Sequence, residues 1–368
     1  MQTQAFIAVT AQPVPYYADT TAIFNTLCQA NSNSLLLDSA EIGSKNSLQS
    51  LILVNAAVKI TCLGHNVTFK ALNENGKQVL KEIHPKLTAL GKVSAVNFED
   101  EFSVQFSPLD NQLDEDSKLQ SATIFDGLRV ISSLYQHSQT PIFLGGLFAY
   151  DLVANFIPMD GITLQHDGIN CPDYSFYLAE HLITIDHQYQ QATLKSFCFA
   201  QEEQVNIAKT SLSIAKKLKN IDNVLSIKAA SDEVKTNFDD PEFTGIVKAL
   251  KHHINIGDVF QIVPSRRFSL ACPNTLASYA QLKQNNPSPY MFYMNDEDFI
   301  LFGASPESAL KYEPESRQLE IYPIAGSRPR GFDAHGNIDP ELDARLELEL
   351  RLDHKEQAEH LMLVDLDR

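Results

Sequence analysis

Tryptophan is missing from all 368 residues, cysteine is scarce and cationic side chains are outnumbered. The five cysteines (Cys28, Cys62, Cys171, Cys198, Cys272) are odd in number, scattered and without a CxxC pair, which indicates neither a disulfide frame nor a zinc site and predicts reduced thiols. Lysine and arginine total 29 against 46 aspartates and glutamates. The resulting net charge of −17 opposes a nucleic-acid partner. No run of 18 apolar residues occurs, so no membrane span is expected. The opening MQTQAFIAVTAQ lacks the basic start and apolar core of a signal peptide, and a cytoplasmic protein is predicted. Neither GxGxxG nor a Walker pattern appears, and there is no internal repeat or low-complexity tract.

What is present is an ordinary globular composition, 44% hydrophobic and 20% charged, long enough for two or more domains. Leu35–Leu37 and Leu51–Val54 read as short buried strands, and residues 60–93 as further strand pieces around a turn at 73–77. Residues 124–137 have helical spacing. Gly145-Gly146 could cradle a phosphate, but close backbone packing is the better reading. His181–Asp186 and Ala192–Phe197 alternate around HQYQQ as an antiparallel hairpin, and Glu202–Leu218 is an amphipathic helix. A polar connection over 219–232 then separates an N-terminal domain, 1–230, from a second, 231–368. The second opens with Asp240 as helix cap and Pro241 behind it, followed by an apolar stripe stopped at Gly257. Asp258–Leu270 is predicted as a strand marked by Pro264. Strands follow over 299–303, 309–312 and 319–324. RLELELRLD (345–353) alternates like a strand but is built from helix formers behind an Asp339-Pro340 cap, so a helix is predicted. Strands feeding strands with irregularly placed helices define an α+β class with largely antiparallel sheets.

The last stretch, DHKEQAEHLMLVDLDR, carries the chemistry. On a helix Glu356, Glu359, His360 and Leu363 share one face. From Leu361 the residues are apolar nearly all round, the pattern of a helix buried on several sides. Buried carboxylates need a cation or hydrogen bonds, and Mg²⁺ takes one or two of them. The alternative is a solvated face with a Glu356–His360 pair.

Four strings in this order, LLLDSAEI (35–42), NPSPYMF (286–292), GASPE (303–307) with IYPIAGSRPRG (321–331), and DHKEQAEHLMLVDL (353–366), resemble component I of anthranilate synthase. The resemblance spans nearly the whole chain. It implies conversion of chorismate and ammonia to anthranilate and pyruvate with Mg²⁺, the ammonia coming from a glutamine amidotransferase subunit. It implies a fold of two packed, mainly antiparallel sheets with helices on the outer faces. By position, Glu359 is a Mg²⁺ ligand with Glu356 beside it, and Glu307 is the general acid for the departing hydroxyl, a role that burial would support by raising its pKa and that a nearby metal would oppose. Ala325, Gly326 and Ser327 line the substrate. Ser39, Pro289, Tyr290 and Met291 correspond to a tryptophan feedback site, in which Asp38 stands where Glu is usual.

Two departures separate the sister enzymes. Isochorismate synthases carry Lys where Gln261 stands, because water needs a base and ammonia does not. Aminodeoxychorismate synthases use a covalent Lys where Ala325 stands. Relatives of this kind continue for more than a hundred residues beyond LVDL and carry a catalytic histidine and a second Mg²⁺ carboxylate there. The 368 residues alone are therefore expected to be incomplete at the C-terminus and inactive, and a non-catalytic tryptophan-binding remnant is the competing reading.

Overall fold

The computed structural model describes residues 5–29, 31–39, 48–110, 112–136, 138, 140–157, 171–221 and 233–366. In chain order the first elements are β1 (Ala8–Val14), α1 (Thr20–Cys28), β2 (Ser34–Asp38), β3 (Gln49–Leu63), β4 (Asn66–Ala71), α2 (Glu74–Thr88), β5 (Lys92–Asn97) and β6 (Glu101–Gln105). There follow α3 (Glu115–Gln120), α4 (Asp126–Leu134), β7 (Leu144–Phe148), β8 (Tyr174–Asp186), β9 (Gln191–Cys198) and α5 (Gln204–Lys217). The remainder comprises β10 (Lys235–Thr236), α6 (Asp240–Asn255), β11 (Phe268–Ser269), α7 (Thr275–Asn285), β12 (Tyr290–Asn295) and β13 (Ile300–Ser305). Last come β14 (Lys311–Glu313), β15 (Gln318–Glu320), α8 (Pro340–Leu352) and α9 (His354–Leu366). Two compact units result: Met1–Ser226 with Thr275–Ala304, and Ile227–Asn274 with Ser305–Arg368. Most of the polar connection expected over 219–232 lies outside the described residues. Thr275–Ala304 goes with the first unit because β12 pairs antiparallel with β2, Met291 opposite Asp38 and Asn295 opposite Ser34.

In the first unit eleven strands among the described residues form one hydrogen-bonded sheet. Its two halves share the long strands β3 and β8. The first half of β3 pairs with β2 and its second half with β4. Register shifts between Leu53 and Val58 of β3 bend the pair where the halves meet. The two sheets implied by the resemblance are thus halves of one α+β network. One core cluster holds Ile60, Phe69, Val79, Ile83 and Phe102; another holds Phe24, Leu36, Ile52, Ile183, Tyr279 and Met291. Gly146 packs backbone to backbone, since a Cβ there would lie 2.0 Å from the Ser175 carbonyl oxygen. That accounts for the glycine pair without a phosphate.

Three local expectations need correction. Residues 73–77 are not a turn between strands: Asn73 caps α2, its side chain accepting from Gly76 N. The Asn-Gly signal outweighed the spacing of Val79, Leu80, Ile83 and Leu87, all of which are buried. Asp239, not Asp240, caps α6, in a reciprocal capping box with Glu242. Of the strand predicted over 258–270 only Phe268–Ser269 pairs, with Lys235–Thr236. Pro264 supplies no N–H to a ladder, and among the described residues no longer partner strand is present.

The second unit holds two short two-stranded pieces, β10–β11 and β14–β15, with α6, α8 and α9. RLELELRLD is helical, as its composition predicts. The expected burial of α9 on several sides is not found: it has no buried residue, and Leu361 and Leu366 are exposed. Strands two and three residues long offer no broad apolar face for it. Among the described residues no helix is long and apolar enough to cross a membrane.

Candidate active site

Glu307, just beyond β13, accepts a hydrogen bond at Oε1 from Ile324 N at 3.0 Å. Two residues further on, Gly326 adopts φ +66°, the left-handed region that glycine occupies without steric cost. A Cβ at this position would lie 2.4 Å from Glu356 Oε2. The segment 324–326 therefore touches Glu307 at one end and Glu356 at the other, so residues 49 positions apart in sequence are joined through one loop. The burial expected for Glu307 is absent, because no described element covers the segment after β13 and its carboxylate is exposed. Ala325 is half-buried and Ser327 exposed.

Glu356 sits in the first turn of α9, whose entry is set by Asp353. The Asp353 carboxylate accepts from Lys355 N and Glu356 N. Those backbone hydrogen bonds, with Arg328 beside them, hold it below its ordinary pKa. Arg328 donates to Asp353 Oδ2 at 2.8 Å and to the Ser327 carbonyl, and its Nη1 lies 3.7 Å from Glu356 Oε1. Arg330 grips Asp343 through two hydrogen bonds, which with the Gly331 N–H pull the Asp343 carboxyl down to about 2. Both arginine forks are engaged by carboxylates of this chain.

The Glu356 side chain is only 14% exposed, so the solvated-face alternative does not hold there. Among the described residues its carboxylate accepts no hydrogen bond; the cations nearest it, on Arg328 and Lys355, stand at 3.7 and 3.6 Å. Glu359, three residues on and half-buried, is likewise without a hydrogen-bond partner among them. Two under-coordinated carboxylates on one helix face suit a hard divalent cation, which takes one or two protein oxygens and keeps water or substrate for the rest. No group of three or more His, Cys, Asp or Glu is assembled among the described residues. Gln261 is exposed in the irregular segment before β11.

A second set of expected residues meets in the first unit. β2 ends at Asp38, directly before Ser39, and β12 begins at Tyr290, directly after Pro289. The register opposing Met291 and Asp38 puts Ser39 beside Pro289, Tyr290 and Met291, across 250 residues of sequence. Met291 is 2% exposed and Tyr290 39%. Sequence reasoning named Asp38 but missed its partner Lys283, whose only signal is a basic residue in a last helical turn.

Residues 77–368 match the family model described as chorismate binding enzyme. The chain is 96% identical over its whole length to anthranilate synthase component 1 of Haemophilus influenzae, spanning 71% of that protein. It is 50% identical over 361 residues to anthranilate synthase component 1 of Vibrio cholerae, covering 96% of this chain and 68% of the relative. The structure of anthranilate synthase component I from Streptococcus pneumoniae superposes with a TM-score of 0.58 at 21% identity, over 89% of this chain and 62% of that one, a likeness of fold. The chain belongs to the chorismate-binding enzymes, within the anthranilate synthase component 1 family.

Proposed function

We propose that this chain is the chorismate-processing part of an anthranilate synthase large subunit, converting chorismate and ammonia to anthranilate and pyruvate, the first step of tryptophan biosynthesis, in the cytoplasm. The observation that carries the reading is the continuous contact from Glu307 through Ile324 and Gly326 to Glu356. Glu307 delivers the proton to the departing hydroxyl. The Gly326 backbone and the Ser327 hydroxyl orient the substrate, with Ala325 lining it. Glu359, with Glu356 beside it, would hold Mg²⁺, which would supply a Lewis acid for a substrate carboxylate. Arg328 and the Asp353 cap keep the Glu356 carboxylate aimed.

Gln261 and Ala325 set the reaction class. Neither provides a base for water nor a covalent nucleophile, so ammonia, delivered by a glutamine amidotransferase subunit, is the attacking group. Ser39, Pro289, Tyr290 and Met291 form a feedback site for tryptophan; their convergence on one sheet register supports this part of the reading. Calorimetric titration of chorismate with and without Mg²⁺ tests the proposal. The expected result is binding that depends on Mg²⁺ and that Glu356→Gln weakens at least tenfold. Mg²⁺-independent binding unaffected by Glu356→Gln would overturn it.

A further inference from the structure

Asp38 is buried, yet it is among the most heavily hydrogen-bonded side chains of the first unit. Its Oδ1 accepts from Ser50 Oγ at 2.5 Å and from Ser39 N at 3.1 Å. Its Oδ2 accepts from Thr20 Oγ1 at 2.7 Å, from Tyr279 OH at 3.4 Å and, in a short contact, from Lys283 Nζ. An ionised carboxylate offers about four lone-pair positions, and here five donors fill them. Burial alone would push the Asp38 pKa up, but the Lys283 charge and the Lys283, Ser50 and Thr20 hydrogen bonds outweigh it and hold it down. Lys283 Nζ also donates to Thr20 Oγ1 at 3.0 Å. An incoming ammonium group would find no lone pair of Asp38 unclaimed.

The positions of the two partners give this saturation a purpose. Asp38 ends β2 and immediately precedes Ser39. Lys283 lies in the last turn of α7, six residues before Pro289. The pair thus ties together the two chain segments that carry every residue of the proposed inhibitor site. We propose that Asp38 and Lys283 are positioning residues: their ion pair fixes Ser39 relative to Pro289–Met291, and the amino-acid inhibitor binds that geometry without touching Asp38. The inference rests on the tryptophan-site reading and deepens it.

Calorimetric titrations of the chain with tryptophan and with indole-3-propionate, which lacks the ammonium group, test it in the wild type and in Asp38→Asn, Lys283→Met and Lys283→Arg. Near-UV circular dichroism selects the variants that retain native packing, and Lys283→Arg keeps the cation where Lys283→Met fails to fold. The expected result is a loss of at least tenfold for tryptophan in both Asp38→Asn and Lys283→Met, an equal loss for indole-3-propionate, no further loss in the double variant, and retention within about threefold in Lys283→Arg. Loss confined to tryptophan in Asp38→Asn, or unchanged binding in Lys283→Met, overturns the positioning role while leaving the site. A wild-type chain that binds neither compound overturns the site itself.

Discussion

At the scale of single residues, His187 shows how hydrogen-bond inventory fixes which ring nitrogen donates. Ser50 Oγ lies 2.8 Å from His187 Nε2 and 2.5 Å from Asp38 Oδ1. A carboxylate only accepts, so the single Ser50 proton goes to Asp38 and Nε2 must donate to Ser50. In the neutral ring His187 Nδ1 is then the acceptor for Tyr16 OH at 3.2 Å. Burial, reinforced by Lys283 and opposed by Asp38 and Asp186, holds His187 below its ordinary value of 6.5. The folded state therefore favours the neutral ring. Its contribution is complete above pH 6.5 and is lost as pH falls from there through the folded pKa, where the unfolded chain binds the extra proton. Asp38, whose pKa is also depressed, adds a further loss only below its ordinary 3.8. Urea unfolding midpoints should thus fall between pH 7 and 5, with a shallower slope in His187→Gln. Parallel slopes in the two proteins would place the acid sensitivity elsewhere.

At the scale of elements, the sequence was informative where a signal was local. The HQYQQ hairpin, the Asp339-Pro340 cap and the helical reading of RLELELRLD are all realised. What it could not display is pairing at a distance: nothing in NPSPYMF says that β12 lies on β2, and nothing near Lys283 points 245 residues back to Asp38. The helix α2 was hidden for a different reason. Its Asn-Gly start mimics a turn, and the glycine is there because α2 comes down directly on β3. A Cβ at Gly76 would stand 1.9 Å from the Ala57 carbonyl oxygen, a backbone atom that cannot swing aside. Gly76→Ala gains roughly 1 kcal/mol in helix propensity but must displace α2 from the sheet, an overpacking cost of about 1–3 kcal/mol or more. The expected net effect is a lowered urea midpoint at unchanged secondary structure. A midpoint equal to or above that of the wild type would show that the helix is not seated by this contact.

At the scale of the whole molecule, the two units differ in how far their own residues bury their apolar surface. The first has two clusters of fully buried side chains. In the second, Phe260, Val263, Leu352 and Leu361 are among many large apolar side chains left open, and a net charge of −17 is what favours solubility. The candidate catalytic residues lie in the second unit and the candidate inhibitor residues in the first, which takes in Thr275–Ala304 from beyond the boundary read at 230/231 because β12 pairs with β2. The local pattern of Glu356 and Glu359 was legible as one helix face; the loop that brings Gly326 against Glu356 was not, since a close approach through a left-handed glycine leaves no periodic trace. The central proposal for the chemistry is that ammonia attacks chorismate at a site that has Gln261 and Ala325 in place of lysines. The direct test supplies chorismate, ammonium and Mg²⁺ to this sequence carried in a protein of its relatives' full length and identifies the product by chromatography with fluorescence detection. The expected products are anthranilate and equimolar pyruvate; accumulation of isochorismate or aminodeoxychorismate in their place would contradict that proposal.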